Sequence, residues 1–288
     1  MATDTVLLES PDLFFAELNC PPDDPDWGED NVVMRTIVAL PAAPVWQAHD
    51  GAERQLMSQN NVVLHHPGSE YRRERFRDVG YRCLFLIPVS SLARQVASEV
   101  DPAAADSAVV RFKNSSGPLD ASTFRLSRMA ARYLKSPQAD PTPAREVLYE
   151  VLRGAVRASD PGAPPDRPAR WAATRRARRE MVEGAKEMLV DRMAERISLD
   201  ELAGRMYTTP YHLARVFRAG TGFSVHGYLV QLRLRTAFDR LPQDANDVGQ
   251  VGRALGYRSH SHFTASFRRT FGIPPSRVPG SVRALALN

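Results

Sequence analysis

The chain has 288 residues, of which 43% are apolar, and a net charge of +5, enough for two domains that each bury a core. Its two cysteines, Cys20 and Cys83, lack metal-ligand spacing and read as reduced thiols, as in a cytoplasmic protein. No apolar run approaches the roughly 20 residues of a membrane span, and the first ten residues lack the basic and apolar regions of a signal peptide, so no membrane partner is expected.

The charge is unevenly placed. From Trp171 onward 19 Arg and Lys face 10 Asp and Glu, a balance of +9, while the residues before it carry −4. Ordinary solvated helix surface accounts for many such asymmetries, but a basic end on a mildly acidic chain also fits nucleic-acid binding at that end.

In chain order, residues 1–31 are polar and rich in Pro and Asp, and read as an irregular arm. A series of strands is expected next: Val32 to Leu40, bounded by Pro41 and Pro44; Val45 to His49, ending at the Asp50-Gly51 turn signal; Val62 to His66; Tyr71 to Phe76; and Tyr81 to Ile87. Short strands at this spacing suggest a small antiparallel barrel or sandwich. From Ser90 the pattern turns helical. Helices are expected over Ser91–Val100, Ala121–Leu134 and Pro143–Ala158, the last with Val147, Leu148, Val151, Leu152 and Ala155 as one apolar stripe. Four prolines between Asp160 and Pro168 mark a semi-rigid linker, which divides the chain into domains at 1–159 and 171–288 with the linker at 160–170.

Beyond the linker, Thr174 to Met193 reads as a helix. Two similar segments follow: Leu202 to Phe217 with Gly222, and Val251 to Phe267 with Gly272. Leu202 answers to Val251 and Met206 to Leu255. After a turn one residue longer in the second copy, Leu213 answers to Phe263 and Phe217 to Phe267. Each copy reads as helix, tight turn, helix, with Thr209 and Ser259 as natural caps of the second helices. A helix from Ser224 to about Arg240 joins the copies. Gly249 and Gly252 weaken the first helix of the second copy by roughly 1 kcal/mol each against Ala, so softness is expected there.

These residues carry a resemblance. Leu199-Asp-Glu-Leu-Ala203, Tyr211-His-Leu-Ala-Arg-Val-Phe-Arg218, Thr221-Gly-Phe-Ser224, Tyr228-Leu with Arg233-Leu-Arg235 and Ala237, and Phe267-Arg-Arg-Thr-Phe-Gly-Ile-Pro-Pro-Ser276 resemble the AraC/XylS family of bacterial transcription regulators from about Thr174 to Val278. Gly252, Tyr207 and Val278 depart from the usual Ala, turn Gly and aromatic. The resemblance implies an α+β chain: a small antiparallel β-barrel, cupin-like, with helices, then an all-α double helix-turn-helix domain. It implies a sequence-specific regulator that binds double-stranded operator DNA, a small-molecule effector at the N-terminal domain, a homodimer seam on the two helices after the barrel, and contact with RNA polymerase for an activator.

Two recognition helices would enter successive major grooves about 34 Å apart. The resemblance puts base contacts on Tyr211, Ala214 and Arg215 in the first copy and on His260, Ser261, Thr264 and Ala265 in the second. An Arg donates two bonds to guanine O6 and N7. Phosphate contacts fall on Thr209, Arg218, Arg233, Arg258, Ser259, Arg268 and Arg269, which position without reading sequence. For Arg233 an ion pair within the domain is an equal alternative. In the N-terminal part, Trp46, His65, Tyr71 and Arg73 are candidates for an effector pocket, against aromatic core and a solvated strand face. Adjacent His65 and His66 point to opposite faces of a strand, so a metal cluster is not expected. No nucleophile with a base stands out, so no catalytic residue and no cofactor are assigned. The alternatives are a partner-binding regulator with impaired DNA reading and a cupin-type enzyme fused to a DNA-binding module.

Overall fold

A computed structural model of the chain describes residues 1–159, 172–242 and 247–279. The chain divides into two compact units, the first built on Met1–Pro161 and the second on Gly162–Ser276. The expected linker at 160–170 lies outside the described residues.

The first unit opens with β1 (Thr3–Glu9) and β2 (Leu13–Cys20), then β3 (Asp30–Val32), β4 (Ile37–Pro41), β5 (Val45–His49), β6 (Gln55–Met57), β7 (Asn61–His65), β8 (Glu70–Arg75) and β9 (Tyr81–Pro88). Helix α1 (Ser90–Ser98), a 3-10 turn at Pro102–Asp106, β10 (Ser116–Pro118), α2 (Ala121–Leu134) and α3 (Pro141–Ala158) complete it. The strands form two antiparallel sheets, one in the order β1-β2-β9-β4-β7-β10 and one in the order β3-β8-β5-β6. They do not close into the expected barrel. Cys20, Val63, Tyr81 and Cys83 from the first sheet meet Val45 and Met57 from the second in one core cluster, the arrangement of two packed sheets.

Two expectations fail here for identifiable reasons. Residues 1–31 are not an irregular arm: β1 and β2 form an antiparallel hairpin with β2 seated on β9. Leu13 and Phe15 alternate into the core, a period-2 signal masked by the Pro and Asp residues at 21–30. The run from Val32 to Leu40 is not one strand either. It leaves one sheet at β3 and enters the other at β4. At the crossing Val33 keeps its backbone paired, donating to Ser69 O at 2.9 Å and accepting from Gly68 N at 2.8 Å.

The α3 stripe is consumed inside the unit. Ala144, Leu148, Val151, Leu152, Ala155 and Val156 are buried, where α3 packs on α2, β7 and β10.

The second unit is helical: α4 (Ala172–Asp191), α5 (Leu199–Arg205), α6 (Pro210–Thr221), α7 (Val225–Arg240), α8 (Val248–Ala254) and α9 (His260–Phe271). Each of the two repeats is one short helix and one longer helix. The first repeat shares a core with α4 and the start of α7, through Val182, Ala185 and Leu189, Leu202, Leu213 and Phe217, and Tyr228 and Leu229. The second closes on the far end of α7, where Phe238 stacks on Phe267 with ring centroids 5.9 Å apart and meets Phe271 edge-on at 5.0 Å. Helix α7 is therefore shared, one half buried by each repeat.

Candidate nucleic-acid interface and an inter-sheet cavity

The two repeats are built by the same local chemistry. Thr209 Oγ1 accepts from His212 N at 3.3 Å and Ser259 Oγ accepts from His262 N at 3.4 Å, each capping its longer helix. Both helices end on a left-handed glycine, Gly222 at φ 77° and Gly272 at φ 75°, whose N–H closes on Arg218 O and Arg268 O. Matched start and stop signals give two helices of 12 residues with the same face turned inward: Leu213, Val216 and Phe217 in α6, and Phe263, Ser266 and Phe267 in α9.

The opposite face is left for solvent. On α6 it presents Tyr211, 80% exposed, with Ala214, Arg215 and Arg218 one turn apart. On α9 it presents His260, Ser261, Thr264, Ala265, Arg268 and Arg269, which line one open concave surface. His260 Nε2 lies 3.4 Å from Thr264 Oγ1, fixing the first turn of that face. Arg215, Arg218, Arg258, Arg268 and Arg269 are exposed and have no carboxylate partner among the described residues. Their charge is unneutralised, which suits a polyanion.

Arg233 is placed differently from the other arginines named for phosphates. Its Nε donates to Met193 O at 2.5 Å and its Nη2 to Glu195 O at 2.6 Å. It is half-buried, and burial lowers its pKa. Here Arg233 braces the segment after α4 against α7 rather than facing outward. The alternative of an ion pair is not what forms; the partners are backbone carbonyls.

Gly252, which weakens α8 on propensity, has a packing reason. A Cβ there would stand 2.9 Å from Cδ1 of Phe263, so the glycine lets the aromatic ring lie against the helix. Tyr207, in the turn between α5 and α6, is 98% exposed and holds φ 52°.

In the first unit a cavity of about 200 Å³ lies between the two sheets. The six-stranded sheet contributes Leu18, Ile37, Ala39, His65, Tyr81, Cys83 and Phe85, the four-stranded sheet Gln47, Tyr71 and Arg73, and Asp4 of β1 completes the lining. Three of the four expected pocket residues, His65, Tyr71 and Arg73, are thus brought together. Trp46 is not among them. It neighbours Gln47 on β5 and so faces the other side of the sheet, against Phe76 and under the Arg54 guanidinium 4.7 Å from its ring. Gln47 was missed by sequence reading. It sits opposite Arg73 in the β5–β8 register and places its amide nitrogen 3.4 Å from His65 Nε2.

His65 turns inward and is 4% exposed, while His66 is only partly buried. Burial holds the His65 pKa well below its ordinary value, and that of His49 at about 4. Burial likewise raises the Tyr81 hydroxyl and Cys83 thiol pKa values. Among the described residues no group of three or more His, Cys, Asp or Glu is placed to hold a metal ion, and no helix is long and apolar enough to cross a membrane.

A pair of capped helix-turn-helix repeats on one connecting helix defines the second unit as a double helix-turn-helix domain. Residues 202–279 match the family model of a helix-turn-helix domain. This part of the chain is a helix-turn-helix domain. The chain is similar to a probable transcriptional regulator, LumQ, of Photobacterium leiognathi, with 25% identity over 180 residues, 61% of this chain and 66% of that protein. It is similar also to the HTH-type transcriptional regulator GlxA of Rhizobium meliloti, with 33% identity over 97 residues, 34% of this chain and 28% of that protein. The chain thus spans less than two thirds of the length of these relatives. Among solved structures, a transcriptional regulator with an AraC-type DNA-binding domain from Chromobacterium violaceum aligns at 25% identity and a TM-score of 0.34, over 38% of this chain and 96% of that one.

Proposed function

We propose that the protein is a sequence-specific DNA-binding transcription regulator of the AraC/XylS type, without catalytic activity of its own, that acts in the cytoplasm. The observation that carries this reading is the repeat itself: two helices with the same caps, the same buried face and the same outward basic face, joined through one helix. Each would lay its outer face in a major groove. Tyr211, Ala214 and Arg215 would read bases from α6, and His260, Ser261, Thr264 and Ala265 from α9. Arg218, Arg258, Arg268 and Arg269, with the capping Thr209 and Ser259 at the helix N-termini, would hold phosphates.

The first unit would respond to a small molecule held between its sheets. A homodimer and contact with RNA polymerase belong to the same reading, but the α3 stripe does not support the dimer because it is spent within the chain. The packing of Phe263 on Gly252 gives that glycine a place in the core, which weakens the support for the reading with impaired DNA recognition.

The test is selection of bound sequences from random duplex DNA with the full chain, followed by salt titration on the enriched site. Two half-motifs about ten base pairs apart, with log affinity falling steeply against log salt, are expected. An unenriched pool with only weak binding would overturn the proposal.

A further inference from the structure

The inter-sheet cavity has a charge pattern that selects its ligand. Arg73 comes off β8 between two aromatic faces, its Cζ 5.6 Å from the Tyr71 ring centre and 5.7 Å from that of Tyr81. These contacts orient a guanidinium while leaving its donors unused, and Arg73 has no carboxylate partner among the described residues. Its neighbours on the strand behave otherwise: Arg72 faces outward to Asp30 and Glu74, each at 3.7 Å. Arg73 and Arg75 share the other face of β8; the partly buried Arg73 lines the cavity, while the exposed Arg75 donates from Nη1 to Pro22 O at 2.9 Å.

His65 forms part of the wall, held by Gln47. With the Gln47 amide nitrogen donating to His65 Nε2, the neutral ring carries its proton on Nδ1. That Nδ1 is buried and without a hydrogen-bond partner, on a side chain 4% exposed. Of the residues lining the cavity, Asp4 is the acidic one, and it is exposed. Leu18, Ile37, Ala39 and Phe85 make the rest of the wall apolar.

We propose that this cavity binds a small monocarboxylate with a compact apolar body, its carboxylate received by the Arg73 guanidinium. A single guanidinium balances one negative charge, and its planar fork fits the two carboxylate oxygens. The volume, about 200 Å³, sets the size of the part held between the sheets. A dry cavity of roughly 150 Å³ accepts benzene, so this one takes a ring or short branched chain together with the acid group. Cationic ligands meet the wrong charge, and neutral ones leave the guanidinium without a counter-charge. The inference rests on the reading of the first unit as the sensing unit only for its consequence; the binding itself does not need DNA.

The experiment uses the full chain and titration calorimetry. Butyrate, cyclohexanecarboxylate and octanoate are compared with cyclohexylmethanol, cyclohexylmethylamine and inorganic phosphate. At least one of the carboxylates, and none of the other three, is expected to bind at one site per chain. Arg73→Met is expected to weaken it by roughly tenfold or more, the loss of a charge-assisted pair. Ala39→Leu fills the cavity without touching its charge and is expected to abolish binding, so the proposal stays testable if Arg73→Met folds poorly. No binding by any carboxylate, equal binding by the alcohol or amine, preference for phosphate, or binding indifferent to both substitutions would overturn it. Operator affinity is then measured with and without the bound carboxylate. An unchanged affinity would leave the anion site standing and sink the sensing role alone.

Discussion

Tyr207 and Gly256 occupy the same point of the two repeats, and both hold a left-handed backbone, at φ 52° and 82°. In the second repeat glycine is obligatory, because a Cβ at 256 would stand 2.3 Å from Ala194 O. In the first, a tyrosine accepts the left-handed strain with its side chain almost wholly in solvent. That strain costs an L-residue about 1–2 kcal/mol, against roughly 0.5–1 kcal/mol for the extra freedom of an unfolded glycine. Tyr207→Gly is therefore expected to raise stability by about 0.5–1 kcal/mol, read as a higher urea midpoint. A lower midpoint would mean that the tyrosine makes stabilising contacts.

Arg215 and Arg218 lie on one face of α6 yet should fail differently. Arg215→Ala is expected to cost about 1–3 kcal/mol on the selected site and to relax preference at one base pair. Arg218→Ala should weaken all sequences about equally and reduce the salt slope by about one phosphate's worth. Binding titrations on a panel of single-base variants at several salt concentrations separate the two, and an unchanged base preference in Arg215→Ala would remove that residue from the reading set.

For Arg233 the expectation is the reverse. Its substitution by Ala removes the donors to Met193 O and Glu195 O. The loss should appear as about 1–3 kcal/mol of stability, from carbonyls left with poorer partners. The salt slope of DNA binding by the remaining folded protein should not change. A reduced slope with unchanged melting temperature would return Arg233 to the phosphate contacts.

Acid should loosen the first unit through His49 and His65. Both fold as neutral rings, with His49 at about 4 and His65 well below its ordinary 6.5. The unfolded chain takes up protons near pH 6.5 that the folded chain refuses. Stability from these two groups is therefore full above that pH and declines as pH falls toward 4, at up to about 1.4 kcal/mol per pH unit for each histidine. Urea midpoints between pH 7.5 and 5 should fall accordingly, and His65→Gln should flatten the decline. A flat wild-type profile would mean that the rings are charged in the folded protein.

The sequence was most readable where one local rule acts twice. Thr209 and Ser259, Gly222 and Gly272, and the matched apolar faces of α6 and α9 are short-range signals, and the structure realises each of them. Strand order was less readable because it is decided by partners far along the chain. The β1–β2 hairpin was hidden by the composition that follows it, and a continuous β-branched run at Val32–Leu40 gave no sign that it changes sheets. Of the cavity, His65, Tyr71 and Arg73 were visible as residue types worth noting, while Gln47 carried no signal at all. Trp46 was misplaced because which face of β5 looks inward depends on register, and one residue of register moves every side chain to the other face.

Helix α7 sets a phase as well as a distance. It has 16 residues, and each residue of an α-helix advances about 1.5 Å and turns about 100°. One residue more or fewer between Tyr228 and Phe238 would swing the second repeat by over a quarter turn relative to the first while hardly changing their separation. The aromatic packing at both ends makes such a slip costly. The helix therefore works as a vernier: a change of spacing in a bound partner cannot be followed by stretching this domain, only by remaking both cores at once.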